Sequence, residues 1–261
     1  MWIEELQSLR KSKLIGREIY YFPEIDSTNR RARDQAQKGA REGTVVLADF
    51  QSQGKGRLGR SWESPAGLNL YASIVLRPSV PPSAATQITL LAGVAAANAL
   101  TRASDLDTRI KWPNDIFLHG KKVAGILSEM EAESSRTRFV ILGLGVNVNW
   151  RREDIPLDLC GIATSLLAEG GKEIPRTLIA AEIFEELEQG YSLFLQEGFS
   201  SRLRDEWNRL SWINGKEATL TMPDKKISGQ ALGLDTDGAL LLLDKEGRTH
   251  RFIAGDISLQ V

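Results

Sequence analysis

After Trp212 the chain changes its period. The pairs Asn214-Gly215, Asp224-Lys225, Asp237-Gly238 and Glu246-Gly247 fall roughly ten residues apart. Between them lie short runs read as strands, residues 218–222, 227–231, 239–243 and 249–253, of which 218–222 alternates apolar with polar side chains most clearly. Asn-Gly and Asp-Gly supply the positive φ angles of tight hairpin turns, and a period of two buries one face of a strand. Turns this frequent leave no room for helices. The pattern predicts a small all-β barrel over 212–261, joined to a larger domain over 1–211.

In the larger segment, Asp26-Ser27-Thr28-Asn29 gathers capping residues and Gly39 stands at a C-cap position, which predicts a helix over 28–38. Residues 1–15 read as a short helix or a loose arm. Strands are expected over 18–22, 44–49 and 69–77, the last ended by Pro78. The Ala/Leu-rich run 84–103 predicts a long, mostly buried helix, and 177–195 and 199–210 predict two more. Residues 116–119 and 122–131 read as a hairpin across Gly120-Lys121, followed by a strand over 139–148. Strands occur before and between helices without regular β-α-β alternation. The expected class is therefore α+β, a central mixed or antiparallel sheet with helices against it.

Thirty-three Lys and Arg balance 34 Asp and Glu, for a formal charge of −1, which argues against a whole-surface nucleic-acid binder. Cys160 is the single cysteine, so no internal disulfide forms, and a reducing, cytoplasmic setting is expected. With His119 and His250 as the only histidines, the sequence has no zinc-spaced ligand cluster. The run 88–100 falls short of the roughly 20 residues that span a bilayer, so no membrane association is expected.

Chemistry concentrates in four places. Residues 54–62 hold Gly54, Gly56 and Gly59, the cations Lys55, Arg57 and Arg60, and Trp62. Glycines let backbone approach a ligand, and guanidinium forks pair with phosphate or carboxylate. The spacing fits neither a P-loop nor a dinucleotide fingerprint. A flexible turn with solvated cations is the plain alternative, but the loop directly follows a buried strand, and Trp62 is available to stack. Next comes Lys111-Trp112-Pro113-Asn114-Asp115, either a simple turn or a place where Asn114 holds a polar ligand edge and Asp115 takes an amine or a metal. Third, Lys122 stands at the mouth of the buried run 123–127. Fourth, Gly143-Leu144-Gly145-Val146-Asn147-Val148-Asn149 thins a strand for something packed against its backbone. Glu129, Glu131 and Glu133 alternate along one strand and read as a solvated edge.

In this order, Asp26-Ser27-Thr28-Asn29, Gln51 with the Gly54–Trp62 loop, Lys111–Asp115, Lys122–Leu127 and Gly143–Asn149 resemble the biotin protein ligase family, from about residue 20 to the C-terminus. The resemblance implies a class II synthetase-like α+β catalytic domain and a C-terminal SH3-like barrel. It also implies a two-step reaction: biotin attacks the α-phosphate of ATP to give biotinyl-AMP, and a lysine of a biotin carboxyl carrier domain then takes the biotinyl group. By position, Ser27, Thr28, Asn29, Gln51, Lys55, Gly56, Arg57, Lys122 and Gly125 would hold biotin. Arg57, Arg60, Trp62, Asn114, Lys122 and Asn147 would hold ATP. Lys122, Arg57 and Asp115 would carry catalysis, with Mg²⁺ arriving on ATP and expected beside Asp115. Many family loops carry Arg where this chain has Lys55, which keeps the charge and lacks the fork of a bidentate contact. About 20 residues precede the shared region, too few for a winged helix, so the expectation is a homodimeric ligase with no specific DNA binding and no repressor activity.

Two other readings are open to the sequence. A lipoate or octanoate transferase shares the central fold but needs a pocket for a longer unbranched chain. A nucleic-acid module would use Lys55, Arg57, Arg60 and Trp62 and bind in a salt-sensitive way.

Overall fold

The computed structural model describes residues 2–222 and 225–259. The first part of the chain runs α1 (Trp2–Leu9), β1 (Ile19–Ile25), α2 (Thr28–Gln37), β2 (Val45–Gln51), β3 (Leu70–Leu76), α3 (Pro82–Ala85), α4 (Ile88–Ser104), β4 (Arg109–Lys111), β5 (Asp115–Leu118), β6 (Lys121–Glu133) and β7 (Arg136–Val146). It continues through α5 (Leu166–Gly170), α6 (Arg176–Glu197) and α7 (Ser201–Leu210). The last part holds β8 (Glu217–Thr221), β9 (Lys226–Leu234), β10 (Leu240–Leu243), β11 (Thr249–Phe252) and β12 (Asp256–Leu259).

Seven of these strands form one mixed sheet in the order β1-β2-β3-β7-β6-β5-β4. Only β1 and β2 run parallel, because α2 crosses between them; the other neighbours are antiparallel. The remaining five strands form an antiparallel sheet in the order β11-β10-β9-β8-β12. The α+β class with a C-terminal antiparallel β unit is thus the observed architecture.

Strand β3 is buried along its whole length, which explains its unbroken Leu70-Tyr71-Ala72-Ser73-Ile74-Val75-Leu76 run. The core lies on the sheet face covered by α4 and α6, with Leu76, Leu91, Ala96, Leu142, Phe184 and Trp207 among its buried members. On the other face, α2 seats Ala32 and Ala36 against Val46, Val75, Phe139 and Ile141.

Several boundaries depart from expectation for physical reasons. The expected helix 84–103 is interrupted between α3 and α4. Taken through that break, Pro82–Ser104 spans 23 residues and is long and apolar enough by composition to cross a bilayer, contrary to the expected shortfall. Its most apolar window is 67% buried inside the protein, so its hydrophobicity serves the core. The β5–β6 hairpin turns at His119-Gly120 rather than Gly120-Lys121, with φ of 48° and 81°. Two successive positive φ angles match the strand twist, and Gly120 supplies one of them at no steric cost. Strand β12 was not foreseen. Of the turn Asp224-Lys225, Asp224 lies outside the described residues.

The junction is tied to the large sheet. Trp212 N–H donates to Ile110 O at 2.7 Å, and Ser211 bridges Ile110 in parallel, so the connecting chain covers part of the β4 edge. Lys216 then lies over Trp212, 3.6 Å from the ring centroid.

Candidate active site

Strand β2 ends at Gln51, and the chain leaves the sheet into the Gly/Arg loop. Gly54 is required there: a Cβ would strike the Trp62 carbonyl oxygen, which accepts from Ser64 Oγ at 3.1 Å. The loop closes on itself, with Trp62 N–H donating to Gly54 O and Gly56 N–H to Arg60 O. A single 3₁₀ turn, Arg57–Gly59, forms its tip, and Leu58 there is 74% exposed at a φ of 56°.

The loop lies over a cavity of about 120 Å³. Its lining brings together Ser27, Thr28, Asn29, Gln51, Lys55, Gly56, Arg57, Arg60, Trp62, Asn114, Asp115, Lys122 and Gly125. Four segments remote in sequence therefore converge, and every expected site residue but one is among them. The exception is Asn147. It is buried beneath the cavity, where Nδ2 donates to Thr164 O at 2.9 Å and Oδ1 has no partner. Asn149, expected on the same side, exchanges two bonds with Ile174.

One end of the cavity is neutral and polar. Ser27 occupies the N-cap of α2, but its hydroxyl makes no cap bond and lines the cavity instead. The Thr28 backbone N–H donates to Gln51 Oε1 at 2.9 Å, with Thr28 Oγ1 3.0 Å from the same oxygen, and Gln51 Nε2 donates to Ser64 Oγ at 3.1 Å. Both amide ends of Gln51 are thereby assigned.

The other end is cationic, with Lys55, Arg57, Arg60 and Lys122 facing only Asp115 and Asp256. Arg57 Nη1 donates to Asn114 Oδ1 at 2.9 Å, and Asn114 Nδ2 donates to Ile126 O at 2.7 Å. Asn114 thus transmits the position of β6 to the loop; the preceding Trp112–Pro113 peptide is cis. Lys122 Nζ stands 2.7 Å from Asp115 Oδ1, close enough for an ion pair, yet that oxygen has no aligned hydrogen bond. Trp62 lies across the strands where they lack side chains, since a Cβ on Gly125 or Gly145 would meet its indole. Lys122 Nζ sits 5.1 Å from the Trp62 ring centroid, a cation–π distance. Half-buried Lys111 stands behind this group. Burial holds its ammonium below the ordinary lysine range, with Asp115 opposing the shift.

Sequence reasoning missed Asp256 altogether. It projects from β12 of the second sheet, pairs with Arg60, and lies 3.8 Å from Arg57, whose Nη2 also donates to Gly255 O at 3.3 Å. No local pattern marks that aspartate; only the juxtaposition of the two sheets does. Glu129 was read as part of a solvated edge. Instead it accepts from Asn29 Nδ2 at 2.9 Å and pairs with Arg33 at 3.3 Å, two side chains that reach it from α2.

A polar pocket at one end, a cation cluster at the other and a glycine-rich lid between them define a carboxylate-activating ligase. Family models agree. The Biotin/lipoate A/B protein ligase family matches residues 21–147, and the Biotin protein ligase C terminal domain matches residues 214–260. The bifunctional ligase/repressor BirA of Bacillus subtilis is 38% identical over 249 residues, covering 95% of this chain and 76% of its own length. The biotin–[acetyl-CoA-carboxylase] ligase of Mycobacterium tuberculosis is 32% identical, covering 96% of this chain and 94% of its own. The solved biotin protein ligase of Aquifex aeolicus, in complex with biotin and ATP, superimposes with a TM-score of 0.81 at 30% identity, covering 94% of this chain and 99% of that one. The chain belongs to the biotin protein ligase family.

Proposed function

We propose that this chain condenses biotin with ATP to biotinyl-AMP, releasing pyrophosphate, and passes the biotinyl group to a lysine of a biotin carboxyl carrier domain, releasing AMP. The observation that carries the reading is the convergence of Ser27, Thr28, Asn29 and Gln51 with Lys122, Arg57 and Arg60 around one cavity. Hydroxyls and amides suit a ureido ring, which offers two N–H donors and one carbonyl acceptor. The cations suit a carboxylate attacking a phosphate, where negative charge must be held while AMP is made the leaving group.

In this mechanism Lys122 stands between the biotin carboxylate and the α-phosphate and stabilises charge in the adenylation step. Arg57 and Arg60 neutralise the phosphates, and the backbone of Lys55 and Gly56 folds over the intermediate, limiting access of water. Gly125 leaves room for the ligand chain on β6. Trp62 and Asn114 flank the nucleotide; Asn147 supports it from beneath. Asp115, released from Lys122 as charge builds on phosphate, orients the incoming amine. Among the described residues no group of three His, Cys, Asp or Glu is placed to hold a metal. A Mg²⁺ ion would therefore be carried on the triphosphate, with Asp115 the carboxylate in reach; it would offset phosphate charge.

The same reading divides the chain into a catalytic part, 1–211, and a C-terminal part, 212–261, and takes it to act as a homodimer in the cytoplasm. The match to the ligase C-terminal domain favours biotin over lipoate. The test is incubation with labelled biotin, ATP and a carrier domain. Label on the carrier lysine, dependent on ATP, is the expected result; a folded protein that leaves the carrier unlabelled would refute the assignment.

A further inference from the structure

Behind the neutral end of the cavity runs a continuous line of side-chain hydrogen bonds that the proposed mechanism does not use. It starts at the surface, where Arg33 pairs with Glu129 at 3.3 Å. Glu129 Oε2 accepts from Asn29 Nδ2 at 2.9 Å. Asn29 Oδ1 accepts from Ser73 Oγ at 2.6 Å, and Ser73 Oγ lies 2.8 Å from Thr28 Oγ1. The Thr28 backbone N–H donates to Gln51 Oε1 at 2.9 Å, which leaves the Thr28 hydroxyl proton for Ser73, and Gln51 bonds Ser64, which donates to the Trp62 carbonyl inside the loop. Ser73 is fully buried on β3, below the cavity floor.

Chemistry fixes the direction of each bond. A carboxylate only accepts, so Glu129 must face the NH₂ end of Asn29. The carbonyl end then points at Ser73 and takes its proton. At the far end, the Thr28 backbone N–H only donates, so Gln51 must present Oε1 there and NH₂ to Ser64. The two amides that line the cavity are held in opposite senses, Asn29 by Glu129 and Ser73, which lie outside it, and Gln51 by Thr28 and Ser64. A methyl on Gly143 would collide with Asn29 Oδ1, so the amide occupies the space that the missing side chain leaves on β7.

We infer that Glu129 and Ser73 are positioning residues that set the donor and acceptor pattern of Asn29 and Thr28, and thereby select a cyclic urea over other carboxylic acids. This rests on the biotin reading and names what enforces its substrate choice. Neither residue lines the cavity, so neither touches the substrate. In Glu129→Gln, the charge-assisted bond to Asn29 Nδ2 becomes a neutral one, and the amide is held less firmly, with Leu127 O at 3.4 Å as its other acceptor. In Ser73→Ala, Asn29 Oδ1 and Thr28 Oγ1 lose their shared partner.

The experiment measures pyrophosphate exchange into ATP for the wild type, Glu129→Gln, Ser73→Ala and the double variant, with biotin and with octanoate as acids. Expected for each single variant is a rise of about tenfold in KM for biotin, with kcat and KM for ATP unchanged, and a fall of about tenfold in the preference for biotin over octanoate. The double variant should be no worse than the more affected single variant, since both act through one amide. Glu129 is partly exposed, so its substitution tests the idea even where Ser73→Ala lowers the melting temperature. An unchanged biotin preference in Glu129→Gln, or equal losses for both acids, overturns the inference. A wild type with no biotin-dependent exchange overturns the biotin reading itself, so the two failures are told apart.

Discussion

Lys122 Nζ and Asp115 Oδ1 lie 2.7 Å apart, yet that carboxylate oxygen has no aligned hydrogen bond. The two residues face each other across β5 and β6, whose register pairs Asp115 with Gly125. A pair held by charge alone separates readily when a phosphate arrives to compete for the ammonium. Lys122→Ala should therefore lower kcat of adenylation about 10²–10³-fold, the usual effect of losing one preorganised charge-stabilising donor. Lys122 is partly exposed, so the melting temperature should hold. Pyrophosphate exchange and a thermal melt on the same sample decide it; unimpaired exchange removes Lys122 from the mechanism.

Asp256 reaches Arg57 and Arg60 from the second sheet. Exposed ion pairs contribute little to stability, about 0–1 kcal/mol. Its effect should fall on loop position instead. Asp256→Asn should raise KM for ATP roughly fivefold while leaving the denaturation midpoint unchanged. Equal KM values for the two proteins would show that the second sheet does not steer the loop.

Much of this site was legible because its chemistry is local. The Gly54–Trp62 loop and Lys111–Asp115 each carry glycine, proline or asparagine where a turn demands them, so both position and type could be read. What escaped was contact between distant segments. Asp256 sits in a four-residue strand with no distinguishing pattern. Glu129 shares its alternation with Glu131 and Glu133, and only the reach of Asn29 and Arg33 from α2 draws it toward the site, while Gln37 takes Glu131 further along. Asn147 is the opposite case: the thin Gly143–Asn149 strand marks a close approach, while its first asparagine bonds Thr164 O and does not line the cavity. The hairpin slipped one position because positive φ fell on His119, a residue whose type gave no warning.

Gly145 provides a test of where Trp62 must lie. A Cβ there would overlap the indole, so Gly145→Ala should displace Trp62, cost about 1–3 kcal/mol by overpacking, and raise KM for ATP. If the damage acts only through that ring, Gly145→Ala added to Trp62→Ala should do little further harm. Fully additive losses would place the effect of the methyl elsewhere.

Tyr21 bears on stability in alkali. Its hydroxyl donates to Asp49, whose other oxygen accepts from Arg176 at 2.8 Å, and Trp2 stacks on its ring at 5.8 Å. Burial first, and then the bond to the Asp49 carboxylate, push the phenol from 10.0 up to about 12, with Arg176 opposing. The folded state therefore holds this proton more tightly than the unfolded chain does. Its contribution is complete below pH 10 and is lost as pH rises from 10 towards 12. Denaturation midpoints of the wild type and Tyr21→Phe should thus differ most at neutral pH and draw together above pH 10. Asp49 lies on β2, two residues before Gln51, so the same approach should appear in KM for biotin. A gap in midpoint that stays constant from pH 8 to 11.5 would mean that the phenol proton is not held by Asp49.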